Sequence, residues 1–150
     1  MALSVGFTTF GALLAVGDGA SPEVFTNVAE VTNVKLPSQD RGQVEFTHHE
    51  SPNEHRELKA GLRTSGPCQF TINYIPDNAT HQNVSGGLLF FAEESFLAAI
   101  HNWQVTLPDS PNTLWTFPAF LSKFDPSDMP VEGKGEAQIE LTISSAVTLP

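Results

Sequence analysis

Apolar and polar residues alternate along two segments of the chain, and a period of two is typical of half-buried β-strands. In QIELTISSAV (138–147) the apolar side chains fall on one face, whereas Gln138, Glu140 and Thr142 fall on the other. CQFTINYI (68–75) alternates in the same way. Both segments therefore predict strands with one buried face and one polar face.

Two further segments, NWQVTLP (102–108) and LWTFPAFLSKF (114–124), are rich in aromatic and β-branched residues and also predict strands. Pro118 lies inside the second of them. Because proline has no backbone N–H to donate, its presence predicts an edge strand or a bulge at this position.

The first part of the chain predicts a hairpin with a long connection. FGALLAV (10–16) and VFTNVAEVTNV (24–34) flank GDGASPE (17–23), whose glycines suit a turn. Residues 1–17 contain no charged side chain. Since they lack a basic leader, and Ser, Thr and Gly interrupt the apolar run, they predict a strand instead of a signal peptide or a membrane span.

Two helices are expected. THQNVSGGLLFFAEE (80–94) has apolar residues at helical spacing and predicts the main helix. Ser51, Pro52 and Glu54 supply a cap, a proline in the first turn and an acidic third residue, which predicts a two-turn helix over PNEHRELKA (52–60). The expected fold is mainly β: an antiparallel β-sandwich or barrel with one flanking α-helix and a short second helix, in one domain spanning residues 1–150.

The charge balance and the cysteine count exclude several classes of function. Seven Lys and Arg against seventeen Asp and Glu give a net charge of -10, and the basic residues form no run. A surface that attracts nucleic acid phosphates is therefore not expected. Cys68 is the only cysteine, which excludes an intrachain disulfide and a thiolate-rich metal site, and predicts a buried, unreactive side chain.

The histidine-rich segment FTHHESPNEHREL (46–58) raises the question of a metal site. A zincin helix needs two histidines four residues apart, but His49 and His55 are six apart and separated by the helix cap. On a strand, His48 and His49 point to opposite faces. His49 and His55 can still meet over the cap with Glu50, yet the favoured interpretation is a solvated polar corner with no metal and no cofactor.

No enzyme signature is present. Gly17-Asp18-Gly19 lacks the third glycine of a dinucleotide fingerprint, and the sequence has no Walker motif and no G-x-S-x-G elbow. The acidic pairs are typical of the surface of an acidic protein. No catalytic residue is assigned, and enzymatic activity is not expected.

Several motifs together resemble the major tail protein, or tail tube protein, of long-tailed bacteriophages and related gene-transfer particles. The most specific are the turn before Phe25, the T-H-x-S-P motif in THHESPNEHRELKAGL, the strand from Trp103 to Pro108 that ends in Pro-Asp, and the pair Pro130-Val131 before the last strand. In their order they cover nearly the whole chain. Two segments depart from the pattern: FFAEESFLAA (90–99) is longer than the usual link, and SSAVTLP (144–150) replaces a common Ser-Gly pair.

The resemblance implies a β-sandwich with a flanking helix that forms six-membered rings, which stack into a hollow tube for passage of double-stranded DNA during ejection. It implies self-association and, as partners, a tape-measure protein, a tail terminator and a distal tail protein. DNA would pass through the lumen without specific binding, and no membrane is involved. The location implied is the virion tail, after assembly in the host cytoplasm.

Two sets of residues are candidates for roles in such a tube. A lumen lined with carboxylates would repel phosphate, over a range of roughly 8 Å at physiological salt. The lumen-lining candidates, from the polar face of the last strand, are Glu136, Gln138, Glu140 and Thr142. The candidates for a loop that contacts the next ring are Arg41, His48, His49 and Glu50.

The alternative is a soluble β-sandwich binding module, either a phage accessory protein or a carbohydrate-binding domain. In that case Trp103 and Trp115 would be exposed platforms for a sugar. Aromatic residues in strand patterns are more often part of the core.

Overall fold

The computed structural model describes residues 2–150 and has nine strands in that range, one α-helix and one 3-10 turn. The elements are β1 (Leu13–Gly17), β2 (Phe25–Asn27), β3 (Val31–Lys35), β4 (Gln39–Glu45), the 3-10 turn (Pro52–Glu54), β5 (Leu58–Ser65), β6 (Cys68–Asn73), α1 (Leu88–Glu93), β7 (His101–Thr106), β8 (Leu114–Pro126) and β9 (Glu136–Ile143).

Seven strands form one antiparallel sheet in the order β2-β1-β7-β8-β9-β6-β3, and β4 and β5 form a separate two-stranded hairpin. The expected mainly-β fold with one α-helix is thereby confirmed. β2 and β3 lie at the two edges of the large sheet.

The large sheet buries one face. On β6 and β9 every second side chain is buried and the intervening ones are half-buried or exposed. Phe91 of α1 packs with its ring centroid 5.7 Å from that of the fully buried Trp103. The helix therefore covers the buried face, and the opposite face stays polar. The fully buried core residues of the sheet are Leu14, Cys68, Phe70, Ile72, Trp103, Val105, Phe117, Ala119, Ala137, Ile139 and Leu141.

Pro118 lies in β8, an interior strand, so the edge position expected from the proline is wrong. The bulge in β8 also lies further along, between Leu121 and Lys123. The Pro118 carbonyl accepts a hydrogen bond from the Ser144 N–H, so this edge of the residue faces β9. The pairing of β8 with β9 ends at Ala119 and Ile143, one residue short of Pro118. The N–H that proline lacks would therefore lie outside the paired part of the two strands.

The main helix is shorter than the sequence predicts. α1 begins at Leu88, and residues 80–87 form turns. Gly86 has a φ of +88°, and a Cβ on Gly87 would clash with the Gln82 carbonyl oxygen. Both glycines therefore fit the turns, which is the physical reason that the helix does not extend over them.

His81 joins these turns to the sheet and has no exposed surface. Its Nδ1 accepts a hydrogen bond of 3.1 Å from the Ile75 N–H. Its Nε2 lies 2.8 Å from the Ala29 carbonyl oxygen. Because Nδ1 is an acceptor, the proton must be on Nε2, and the ring is held as one neutral tautomer.

The second helix is a single 3-10 turn, and the nine-residue span expected for it is wrong. Asn53 and Glu54 have φ values of 55° and 59°, in the left-handed region. Leu58 and the two residues after it belong to β5, where they pair with β4. Hairpin pairing therefore overrides the local helix-start signal.

The strand expected over residues 1–17 is confirmed only at its end. β1 begins at Leu13, and residues 2–12 contain no strand; Met1 lies outside the described residues. The hairpin of β1 with β2 is present. Across its connection Asp18 accepts hydrogen bonds from the Ala20 and Val24 N–H groups, which lower the pKa of its carboxyl. No helix among residues 2–150 is long and apolar enough to cross a membrane.

The first prediction concerns His81. We expect His81→Phe to lower the free energy of unfolding by roughly 2–5 kcal/mol, because the Ile75 N–H and the Ala29 carbonyl would each lose a buried partner. Urea unfolding followed by circular dichroism measures this change. The matched control is His49→Phe at an exposed position, with an expected change within about 0.5 kcal/mol. Equal effects of the two substitutions would contradict the assigned role of His81.

The second prediction concerns Cys68. Burial raises the pKa of its thiol to about 12, from an ordinary value of 9.0. Between these values the thiol ionises in the unfolded chain and stays protonated in the folded protein. The stability that is present below pH 9.0 is therefore lost as the pH rises toward 12, by up to about 1.4 kcal/mol per pH unit.

Urea unfolding at about pH 8 and about pH 10 measures this loss. Lysine and tyrosine side chains also titrate in this range, so the relevant quantity is the difference between the wild type and Cys68→Ala. We expect a smaller loss of stability in Cys68→Ala. The same dependence on pH in both proteins would contradict the prediction.

Candidate assembly surfaces

The β4–β5 hairpin is exposed on both faces. All seven residues of β4 are exposed, and so are all but two residues of β5. The two strands pair from Gln39 with Ser65 to Glu45 with Leu58, without a hydrogen bond to the large sheet. An isolated two-stranded hairpin is only marginally stable in water. We therefore expect the hairpin to gain stability when it contacts another molecule.

The two strands of this hairpin approach closely at Gly61. A Cβ on Gly61 would lie 3.1 Å from the Gly42 carbonyl carbon, so a larger residue at position 61 would require the facing strand to shift by a few tenths of an ångström. The pairing shifts by one residue at this point, between Arg41 and Gln43. Arg41 and Arg63 lie directly opposite each other, and two like charges in that position destabilise the pair.

Hydrogen bonds hold the tip of the hairpin. Ser51 Oγ donates to Glu57 Oε2 at 2.7 Å and accepts from the His48 N–H at 2.9 Å. His48 Nδ1 lies 3.0 Å from the same carboxylate oxygen. At the base of the tip, the Lys59 ammonium lies 4.6 Å from the Phe46 ring centroid. The tip is therefore a hydrogen-bonded loop, and Phe46 and Lys59 pack together where it joins the two strands.

The four candidates for a contact between rings all lie on this hairpin, in two places. His48, His49 and Glu50 are neighbours in the exposed tip. Arg41 lies on β4, where it donates to the Gly61 carbonyl at 3.3 Å. The structure therefore separates the arginine from the other three candidates, and their role stays a prediction.

Basic side chains are concentrated on the hairpin. Residues 39–65 contain four of the seven Lys and Arg of the chain and five of its seventeen Asp and Glu. The net charge is therefore -1 for the hairpin and -9 for all other residues together. A neighbouring copy would offer an acidic surface to this nearly neutral element.

The four lumen-lining candidates share the polar face of the large sheet, since they alternate with the buried residues of β9. Glu140 accepts a hydrogen bond of 3.2 Å from Gln69 of β6 and lies opposite Lys123 of β8. Glu136 is paired with Lys134 at 3.2 Å. Both glutamates thus have a lysine nearby, and the face is less acidic than the whole chain.

Exposed apolar side chains mark two surfaces that the sequence predictions missed. After α1, Phe96 and Leu97 are 87% and 85% exposed. Near the start of the chain, Leu3, Val5 and Phe10 are 89%, 100% and 95% exposed. Exposed apolar clusters are typical of protein interaction sites. The signals in the sequence were the extra length of residues 90–99 and the absence of charge from residues 1–17.

The remaining candidates from the sequence are a metal site, the thiol of Cys68 and a sugar-binding platform at the two tryptophans. Residues 2–150 contain no group of three His, Cys, Asp or Glu side chains placed to hold a metal ion. Cys68 is fully buried, as predicted. Trp103 is also fully buried, and Trp115 is half-buried against the core. Neither indole is the open platform that a sugar-binding module requires.

Comparisons with known proteins identify the fold. No protein-family model and no curated protein matches the sequence. A chain from the virion of a native gene transfer agent particle is 18% identical, with a TM-score of 0.69 over 97% of this chain and 99% of that chain. A chain from the sheath/tube terminator of PVC, an extracellular contractile injection system, is 11% identical, with a TM-score of 0.73 over 99% of both chains.

A third solved structure is the tube-terminating cap of the anti-feeding prophage. One of its chains is 12% identical, with a TM-score of 0.72 over 100% of this chain and 95% of that chain. At these identities the likeness establishes a shared fold. The chain thus has a fold found in the tails, tubes and terminators of such particles, which confirms the resemblance expected from its sequence.

Proposed function

We propose that this protein is a structural subunit of a tail tube, which assembles into stacked hexameric rings around a channel for double-stranded DNA. The observation that carries the proposal is the fold shared along nearly the whole chain with a chain of a gene transfer agent particle. The further partners would be a tape-measure protein, a tail terminator and a distal tail protein. The subunit would assemble in the host cytoplasm and function in the virion.

The exposed surfaces support self-association. The large sheet has two free edges, and free edges expose backbone groups that can pair with another chain. The hairpin and the apolar residues after α1 are further surfaces that no element among residues 2–150 covers. A head-to-tail contact that closes produces a ring, and a second kind of contact between rings produces an open tube.

The hairpin is suited to the contact between rings. Its two strands pair only with each other and are largely exposed, and its net charge of -1 contrasts with -9 for the remaining residues. Arg41 and Arg63, which oppose each other within one copy, would each gain a carboxylate partner from an acidic neighbour. In this proposal His48, His49 and Glu50 lie at the leading end of the contact.

The polar face of β9 and its neighbours is suited to the lumen. Its charged residues on β3, β8 and β9 are Lys35, Lys123, Asp125, Glu136 and Glu140. Their net charge is -1, and Lys123 lies 3.6 Å from Asp125. Such a face has no cluster of free cations to hold phosphates, so DNA would pass without adhering to the wall.

Negative-stain electron microscopy across a concentration series tests the proposed function. We expect uniform hollow rings or tubes, with a sixfold pattern in end views. The same samples are analysed by light scattering to measure the mass of the particles. A protein that stays monomeric at every concentration, with and without a purified tail tip as a seed, would contradict the proposal.

The third prediction tests the hairpin. Trypsin cleavage after Arg56, in the exposed tip, should be at least about tenfold slower in assembled tubes than in monomers, because contact with the next ring would cover the tip. Mass spectrometry measures the rate at each site. A short peptide substrate added to both samples is the reference for protease activity, because Lys134 lies beside the lumen-lining candidate Glu136. Equal rates after Arg56 in tubes and monomers would exclude the hairpin tip from the contact.

The fourth prediction tests the lumen. The double variant Glu136→Lys and Glu140→Lys should form normal tubes that retain duplex DNA, because four units of positive charge would be added to each subunit face. Sedimentation of tubes with a labelled DNA duplex measures retention. We expect no retention by wild-type tubes, and a loss of retention by variant tubes as the salt concentration rises.

The matched control for this prediction is the double variant Asp77→Lys and Glu93→Lys. It makes the same charge change at exposed positions, and Glu93 lies on α1, on the other side of the sheet. Control tubes should leave the duplex in the supernatant. Equal retention by both variants, or none by either, would contradict the placement of Glu136 and Glu140 in the lumen.

A further inference from the structure

We propose that residues 3–7 become a β-strand on assembly, by pairing with the free edge of β3 in a neighbouring copy. This inference rests on the proposed self-assembly and names the segments that would make one of its contacts. Addition of an extended segment to an exposed sheet edge is an established mode of protein recognition. Here the segment and the edge would come from two copies of the same chain.

The donor segment has the pattern of a strand without the structure of one. Leu3, Val5 and Phe7 alternate with small or polar residues, so a pleated conformation would place the three apolar side chains on one face. Leu3 is 89% exposed and Val5 is 100% exposed. Such exposure leaves these two side chains almost no contact within the same copy, although burying them would be favourable.

The acceptor is the edge of the large sheet at β3. This five-residue strand pairs with β6 on one side, and on its other side it pairs with no strand among residues 2–150. Val31 and Val34 line an apolar groove at this edge, together with Val105 and Leu107. An added strand would pair with the free backbone groups of β3 and bury its apolar face in the groove.

The course of the segment explains why a second copy is the partner. Phe7 and Phe10 line the same groove in their own copy, followed by a turn in which the Ala12 N–H donates to the Thr9 carbonyl. Residues 3–5 extend beyond this point into solvent. Of residues 3–7, only Phe7 reaches the groove of its own copy. The exposed residues 3–5 are free to lie along the β3 edge of another copy.

Charge favours the same contact. Two copies with a net charge of -10 each repel, so a contact is least costly where charge is absent. Residues 1–17 have no charged side chain, and Lys35 is the only charged residue of β3. Because donor and acceptor are different surfaces, an arrangement in which each copy donates its segment to the next copy is head-to-tail and can close into a ring.

Crosslinking of two variants, each with one added cysteine in addition to the buried Cys68, tests this contact. Val5→Cys and Asn33→Cys are mixed as monomers, allowed to assemble and treated with a short bis-maleimide. We expect a covalent dimer that contains one copy of each variant, identified by mass spectrometry. Wild-type protein is the control, because Cys68 is fully buried and should not react. Assembly without a mixed dimer would overturn the inference.

Assembly of a second pair of variants distinguishes the donor segment from apolar exposure in general. Val5→Asp should raise the concentration needed for assembly at least about tenfold, since it places a charge in the apolar groove. Val131→Asp, which changes another fully exposed valine, should leave that concentration unchanged. Equal effects of the two would overturn the inference and leave the proposed tube function intact. Failure of the wild type to assemble would overturn both.

Discussion

The division of the large sheet into one buried face and one polar face is the constraint on which the other features of the molecule depend. On β6 and β9 the side-chain period of two is kept without a break, so that Phe70 and Ile139 are buried while Gln69 and Glu140 are not. A shift of one residue in either strand would exchange the two faces and bury the carboxylate. The core therefore specifies the register of the strands that carry the lumen-lining candidates.

The same constraint decides where the remaining elements can lie. Phe91 of α1 and the neutral ring of His81 occupy the buried side, and there the turns at residues 80–87 are tied to the sheet. Among residues 2–150 no helix covers the polar side. The hairpin of β4 and β5 has no buried side chain and stays outside the sheet. The hairpin is thus exposed because the large sheet and α1 form the core without any of its residues.

The sequence predicted the elements whose signal is set by burial. β6 and β9 alternate because the core needs one face of each. β6 begins at the predicted Cys68, whereas β9 spans Glu136–Ile143 and ends four residues before the predicted segment does. The helix expected over residues 52–60 was wrong, since its signals at Ser51 and Pro52 describe only a local start, whereas β5 pairs with residues that precede it in the chain. Local patterns do not contain that long-range pairing.

For the candidate sites, too, local patterns were predicted correctly and long-range neighbours were not. Alternation placed Glu136 and Glu140 on one face, and this shared face is present. The nearby Lys123 and Lys134 could not be predicted, because a cross-strand neighbour and a charge in the adjoining turn depend on register and turn geometry. Charge counting likewise gave one value for the chain but not its unequal distribution between the hairpin and the remaining residues. The register of the sheet and the bounds of the hairpin, on which these features depend, became known only from the structure.

The unequal distribution of charge also restricts the symmetry of assembly. In a twofold contact the same patch of both subunits meets, so a twofold contact through the acidic part would place like charges against each other. With -9 on that part, such a contact is opposed by repulsion wherever the groups approach within the screening length of roughly 8 Å. A head-to-tail contact can instead place the nearly neutral hairpin, or the uncharged residues 2–12, against the acidic part. Contacts of that kind generate closed rings and open stacks, which are the two forms of association that a tube requires.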